Sequence, residues 1–343
     1  MPTLKDLSRE LGLSVTQVSR ALNGHDDVSE ATKERVAEAA ERLGYAANIS
    51  ARMLKSGRSG IVAMVVTADE EQEVPEVLLA GVIGLSAEFS RRGMQFVLHV
   101  MTGDDDAVAT HRKLCGSGLI DGFVLVNPVP GDPRVALLTG MNVPFVVHGR
   151  DTAGATYPYF DIDNRGLAER LAGRLIEAGH RRLALVDGPA HTAFARERHE
   201  GFLTALSRAG IDPSAAIILP GAMVESRGRA AVATLFDGPG PHPTGIVAGN
   251  TMLAAGIYAG LAERGLSVPA DVSVVAHDDG LQRTPADAFI PPVTVSRSTL
   301  GTAWRPLADA LVGVIEGGNA GDFQTLERPD FIEGGSVAGP AGA

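Results

Sequence analysis

Residues 13–24 read LSVTQVSRALNG. Leu13, Val15, Val18 and Leu22 recur at helical spacing, while Thr16, Gln17, Ser19, Arg20 and Asn23 fill the opposite face with hydrogen-bonding side chains. Ser14-Val-Thr-Gln17 has the S-x-x-Q form of a capping box, and Asn23-Gly24 is a helix stop. Upstream, Leu4, Leu7 and Leu11 mark another short helix, opened by Thr3 with Asp6 and closed by Gly12. Downstream, Ser29 caps a third, with Val36, Ala40 and Leu43 on its inner side. Two short helices joined by about three residues have helix-turn-helix spacing. A polar helical face taken alone is equally the mark of a solvated surface.

The 343 residues suffice for two or three domains, and 45% of them are hydrophobic, enough for large cores. The net charge of −11 argues against nucleic acid until its distribution is read. Residues 1–60 carry nine Lys/Arg and eight Asp/Glu, net +1, which leaves −12 on the remainder. A near-neutral head on an acidic body is compatible with DNA binding by the head alone. The single cysteine, Cys115, excludes an internal disulfide and a multi-cysteine metal site, and reads as a small buried hydrophobe. The chain opens without a secretory-type leader and lacks an apolar run of about 18 residues. A soluble cytoplasmic protein that does not enter membranes is therefore expected.

From residue 61 the texture is βα alternation. IVAMVV, QFVLHV, GFVLV and PFVVH are strands of buried, parallel type, and RLALVD, AIIL, GIVAG and VSVVAH repeat the pattern after PYFDIDN. The expected fold is α/β, a helix-turn-helix head followed by two doubly wound parallel-sheet lobes. Boundaries fall at 1–47 for the head and 48–60 for a short helix and linker. The first lobe takes 61–160 with about 291–323, and the second 161–290 with about 324–335. The Gly/Ala/Pro-rich tail 336–343 reads as disordered.

Signatures of catalysis are missing. We find no G-x-G-x-x-G after a strand, no Walker A segment, no G-x-S-x-G elbow and no H-E-x-x-H. RERHE at 196–200 lacks the second histidine, and DDD at 104–106 is a solvated helix start. Neither an enzyme, a metal nor a cofactor is expected. In open α/β lobes small molecules bind beyond the carboxyl ends of the strands, so polar residues ending strands are the candidates there.

TLKDLSRELGLSVTQVSRALNGHDDVSEATKERVAEAAERLGYAANISARMLKSGRSG resembles the DNA-binding head of the LacI family of bacterial transcription regulators. DIDN, EAGHRRLALVDG, RERHEGF, VPADVSVVAHDD and PPVTVSRS extend the resemblance over essentially the whole chain, with V-S-R-x-L-N-G, V-S-x-x-T and L-G-Y as its most specific parts. It implies lobes of periplasmic-binding-protein type and a recognition helix in the major groove. Val15 and Thr16 would read bases and Arg20 reach further, with Thr3, Ser14, Gln17, Ser19 and Asn23 as further DNA contacts. It also implies that 48–55 is a hinge helix on the minor groove. There Leu54 would wedge into a central step, Lys55 reach beside it, and Asn48 and Ala51 flank it. Two heads of a homodimer then imply a pseudo-palindromic operator of roughly 14 to 20 base pairs with a central CG-type step.

For the effector, the resemblance points to Asp278, Asn250 and Arg198, a set suited to a polyhydroxylated ligand, with Asp69, His148, Arg150, Phe160 and Phe194 behind them. Asp278-Asp279 is also readable as a solvated strand end, Arg198 as a surface charge, and His148 and His277 as structural. Departures from the family pattern are Thr251 for an Asp, EEQEVPE at 70–76 for N-P-F-F, and Met223 at a common stacking aromatic. FVVHGR, PYFDIDN and VVAHDD are similar to a LacI subgroup regulating α-glucoside use. The expected function is a repressor of sugar-utilisation genes whose operator affinity is changed by a small sugar. A purine or phosphosugar corepressor, or a sugar-binding protein without DNA regulation, stays open, as does the sign of the effector's action.

Overall fold

The computed structural model describes residues 2–22, 25–45, 57–67, 76–102, 105–152 and 154–340. The chain divides into two compact units, Met1–Ser59 and Gly60–Ala343.

The first unit contains helices α1 (Leu4–Leu11), α2 (Val15–Leu22) and α3 (Glu30–Leu43). The Thr3 hydroxyl accepts from the Asp6 amide, and the Asp6 carboxylate accepts from Thr3 N at 2.8 Å, closing the expected capping box. Gly12 ends α1 in the left-handed region at φ 67°. Ser14 and Gln17 form the second box: Gln17 Oε1 accepts from Ser14 N at 3.1 Å, and Ser14 Oγ accepts from Gln17 N at 3.2 Å. Leu7, Val18, Ala21, Val36 and Ala39 form the core, with Leu13, Ala40 and Leu43 at its edge. Leu22, expected to dock, is 37% exposed, and Ala21 takes the inner position. The tight three-helix junction admits the smaller side chain.

The second unit holds two six-stranded sheets. β1 (Ile61–Thr67), β2 (Gln95–Met101), β3 (Gly122–Val126), β4 (Phe145–His148), β5 (Tyr159–Ile162) and β11 (Gln324–Glu327) make the first, in the order β11-β5-β4-β3-β1-β2, all parallel. The second takes β6 (Leu183–Asp187), β7 (Ile217–Pro220), β8 (Gly245–Ala248), β9 (Ser273–Asp278), β10 (Thr294–Arg297) and β12 (Asp330–Ile332). Its order is β12-β10-β9-β8-β6-β7, with only β12 antiparallel among these pairs. Alternation sends successive β1 residues to opposite cores. Val62 and Met64 pack with α4 (Glu76–Arg91) and α11 (Gly301–Ile315), while Ala63 and Val65 pack with Phe123, Leu125 and Leu138. In the second sheet Leu183 and Leu185 meet α7 (Asn164–Glu177) and α8 (Ala193–Arg208). Ala184 and Val186 meet α9 (Glu225–Phe236) and α10 (Thr251–Ala262). α5 (Ala107–Gly116) and α6 (Pro133–Gly140) complete the first lobe, and Cys115 is half-buried beside its core with burial raising its thiol pKa.

The expected lobe boundaries shift at the return crossings. β10 at 294–297 remains in the second sheet beside β9, and β11 at 324–327 joins the first beside β5. These short strands carry no sequence mark of their partner, which is set by the register of the finished sheets. The crossing segments are tied together: Asp163 N donates to Glu327 O at 2.8 Å, and Ser298 Oγ donates to the Glu327 carboxylate. The tail is also corrected. Ser336 is fully buried, its hydroxyl donating to Val274 O at 2.5 Å and accepting from Thr294 N at 2.9 Å. Ala338 O accepts from His180 Nε2 at 2.8 Å. Residues 336–340 are thus an integral edge of the second lobe.

Candidate functional site

In the first unit, capping by Ser14 leaves the first turn of α2 with Val15, Thr16 and Gln17 all exposed. Val15, 41% exposed, is an apolar side chain outside the core, as a thymine-methyl contact requires. Arg20 lies on the same helix in a two-point pair with Asp27, Nε to Oδ1 at 3.0 Å and Nη2 to Oδ2 at 2.6 Å. The Arg20 hydrogen bond holds the Asp27 carboxyl below its ordinary range. Ser19 is half-buried, and Thr3 caps α1. Asn23, Asn48, Ala51, Leu54 and Lys55 lie outside the described residues, as does Asp69.

In the second unit, polar side chains gather where the strands end. Arg198 is buried on α8: Nε donates to Asn164 Oδ1 and Nη1 to Gly249 O, both at 2.8 Å, and Nη1 lies 3.4 Å from Asp187 Oδ1. Its guanidinium carbon stands 5.1 Å from the Phe194 ring centre. Asn164 Nδ2 continues to Asp161 Oδ1 at 3.1 Å, and Arg150 Nε reaches Asp161 Oδ2 at 3.0 Å. One polar chain therefore runs from β5 of the first sheet to β6 of the second. Burial pushes the Asp161 carboxyl up to about 6, against the pull of Arg150. Asn250 is buried and caps α10 through Leu253 N at 2.9 Å, while its Nδ2 donates to Met223 O at 3.4 Å.

Asp278 is fully buried and turned sideways: Arg297, its register partner on β10, donates to Oδ2 from Nε and Nη2, both at 2.8 Å. Its neighbour Asp279 is the carboxylate in electrostatic contact with the cleft. Burial pushes Asp279 upward, but His277, Arg198 and His148 reverse the balance and its pKa is lowered. His277 Nε2 is 3.1 Å from Asp279 Oδ1, near enough for attraction but out of line for a hydrogen bond. Among the described residues, buried polar atoms lacking a partner include Asp187 Oδ2 and both His277 ring nitrogens, all at these strand ends. His111 Nε2, Ser296 Oγ and Glu76 Oε2 are further buried polar atoms of this kind elsewhere in the second unit.

On the first sheet, His148 ends β4 with the buried Phe160 ring 6.2 Å away and the Trp304 ring 5.7 Å away. Burial lowers the His148 pKa to about 4, so its imidazole is neutral. A cavity of about 670 Å³ opens beside it, lined by residues that include Thr67, Leu78, Asn127, Asp132, Trp304 and, from the second lobe, His191. Asn127, at φ 49°, turns the chain after β3, and Arg134 anchors that turn by donating to Val126 O at 3.1 Å and to Asp132 Oδ2 at 2.7 Å. Away from the crossing segments, hydrogen bonds between the lobes among the described residues include Ala193 N to Pro128 O, Thr152 Oγ1 to Glu197, and Gln282 N to Glu76 Oε1 at 2.9 Å.

Of the expected effector residues, Arg198, Phe194, Asn250 and Met223 share one rim of the second sheet, with Gly188 lying against both Phe194 and Met223. His148 and Phe160 stand on the first sheet, and among the described residues of the set only His148 lines the cavity. Sequence reasoning took Asp279 only as part of a solvated strand end and passed over Asp187, Asn164, Asp161, Trp304 and Glu76 as site residues. The strand-ending aspartates of LALVD and YFDI carried a signal at the right place. Trp304 and Glu76 lie inside helical patterns and carried none.

Residues 3–48 match the model of bacterial regulatory proteins of the lacI family, and residues 172–337 that of the periplasmic binding protein-like domain. The chain is 36% identical over 345 aligned positions to the HTH-type transcriptional regulator AglR of Rhizobium meliloti, covering 98% of this chain and 94% of that protein. It is 34% identical to CelR of Thermobifida fusca, covering 92% of each, and 31% identical to RafR of Escherichia coli, covering 99% of each. Among solved structures, a transcriptional regulator CelR–cellobiose complex is 30% identical, covers 98% of this chain and all of that one, and superposes with a TM-score of 0.68. The lac repressor dimer bound to operator and the anti-inducer ONPF shares the fold at a TM-score of 0.82 and 23% identity, over 98% of this chain and 99% of that one. This chain belongs to the LacI family of bacterial transcription regulators.

Proposed function

We propose that the chain is a cytoplasmic, homodimeric repressor whose grip on a pseudo-palindromic operator is altered by a sugar held between its lobes. It acts by binding, without catalysis. The observation that carries the sugar is the gathering at the strand ends of Arg198 and Asp279 with neutral His148, while Asn250 shapes the rim by capping α10. Carboxylate, amide and guanidinium groups pair with neighbouring hydroxyls, and the CelR relative is seen with cellobiose. The exposed start of α2 supplies base reading through Val15 and Thr16, with Arg20 leaving Asp27 for a guanine. The edge strand β2 and α4 expose Val100, Leu79 and Ile83, apolar side chains suited to burial against the second protomer. Ligand closure of the cleft changes how the two heads are presented, so sugar and operator affinities are linked reciprocally.

Footprinting on the promoter beside the protein's own gene tests the DNA half. A protected site with twofold symmetry is expected, and Arg20→Ala should weaken it by about 1–3 kcal/mol while relaxing the preference at one base pair per half-site. A direct repeat, or unchanged affinity in the variant, contradicts the assignment.

A further inference from the structure

Trp304 is the chain's single tryptophan. It sits in the first turn of α11, half-buried, with part of its surface on the cavity beside β1, β3 and β4. Helix α4 is cut away to seat it. A Cβ built on Gly84 would collide with indole Cδ1, and one on Gly81 would lie 3.5 Å from Cη2. Alanine at position 84 would displace the ring, so Gly84 fixes where the indole lies, while a methyl at position 81 would be in ordinary contact with it. The His148 ring meets it at 66° and carries no charge near neutral pH, which braces the indole without a competing cation. The cavity around it combines apolar walls, Met64, Val66 and Leu78, with the polar edges Thr67, Asn127 and Asp132.

An indole on the cavity wall beside hydrogen-bonding groups suits a pyranose ring, which offers C–H bonds on its faces and hydroxyls around its rim. We propose that the ring of the bound sugar stacks on Trp304, so that the first lobe supplies the stacking surface and the second lobe the charged hydrogen-bonding groups. The proposal rests on the sugar reading of the cleft.

A single tryptophan makes the test direct. Maltose, trehalose, sucrose, cellobiose and ribose are titrated into the full-length protein by calorimetry, with tryptophan emission and acrylamide quenching followed in parallel. For a sugar that binds, emission should change and quenching fall with the calorimetric Kd. Trp304→Leu and Gly84→Ala should each weaken binding by about tenfold or more, and Trp304→Phe by less than about fivefold, since it keeps an aromatic face. Thermal melts check that each variant is folded. A sugar that releases heat but leaves emission and quenching unmoved overturns the stacking role and leaves the sugar reading standing. So does a folded Trp304→Leu protein that binds as tightly as wild type. A panel without any binder overturns the sugar reading and the stacking role with it.

Discussion

His148 shows how one strand-end residue can be legible while its state is not. Its position after FVV announced a strand terminus facing ligand space. Its neutrality comes from Phe160, Trp304 and the loss of water around them, contacts contributed from 12 and more residues away. The folded-state pKa falls from the ordinary 6.5 to about 4, so the folded protein takes up this proton less readily than the unfolded chain. The stability involved is therefore full above about pH 6.5 and is lost as pH falls toward 4, roughly 3 kcal/mol at most. A His148→Gln variant should lose less melting temperature than wild type between pH 7 and pH 4.5, and parallel melting curves would refute the buried neutral imidazole. The same limit governs Asp278 and Asn250. Their residue types marked the rim, but only the folded register reveals that Arg297 already holds one and that a helix start already uses the other.

At the scale of elements, periodicity and caps carried most of the information. The three head helices, both capping boxes and the β strands with continuous apolar runs follow from local chemistry that the sequence displays. What local chemistry does not encode is which sheet a short strand after a crossing joins, hence the exchange of β10 and β11 between the expected lobes. The tail misled for a related reason. Its Gly/Ala/Pro composition suggests disorder, yet Ser336 fills a buried hydrogen-bonding position between β9 and β10. Replacing Ser336 with alanine strands Val274 O and Thr294 N less well satisfied in the interior and should cost roughly 1–3 kcal/mol in denaturant unfolding. A neutral result would mean that the tail is only loosely laid on the sheet. Helix α4 has its own role at the lobe junction, where Glu76 Oε1 accepts from Gln282 N and, at 3.3 Å, from Arg283 N. Hydrogen exchange at those two amides should quicken in Glu76→Ala, and unchanged protection would remove Glu76 from the set of lobe fasteners.

At the scale of the whole molecule, charge and architecture divide the labour. The acidic body disfavours loose attachment to DNA, leaving the near-neutral head to bind where its few exposed side chains find their bases. Two lobes joined by three crossing segments and a continuous polar chain give a sensor in which one small ligand can touch both halves at once. Linkage then requires that whatever changes the lobes' relation changes operator affinity by the same factor that DNA changes ligand affinity.

The most direct test is operator affinity, read by fluorescence anisotropy at fixed salt, with and without the sugar that raises the protein's melting temperature most. A change of about 5- to 150-fold in operator Kd is predicted, together with the same factor in sugar Kd when operator is saturating. A sugar that binds tightly while operator Kd stays the same would contradict the account.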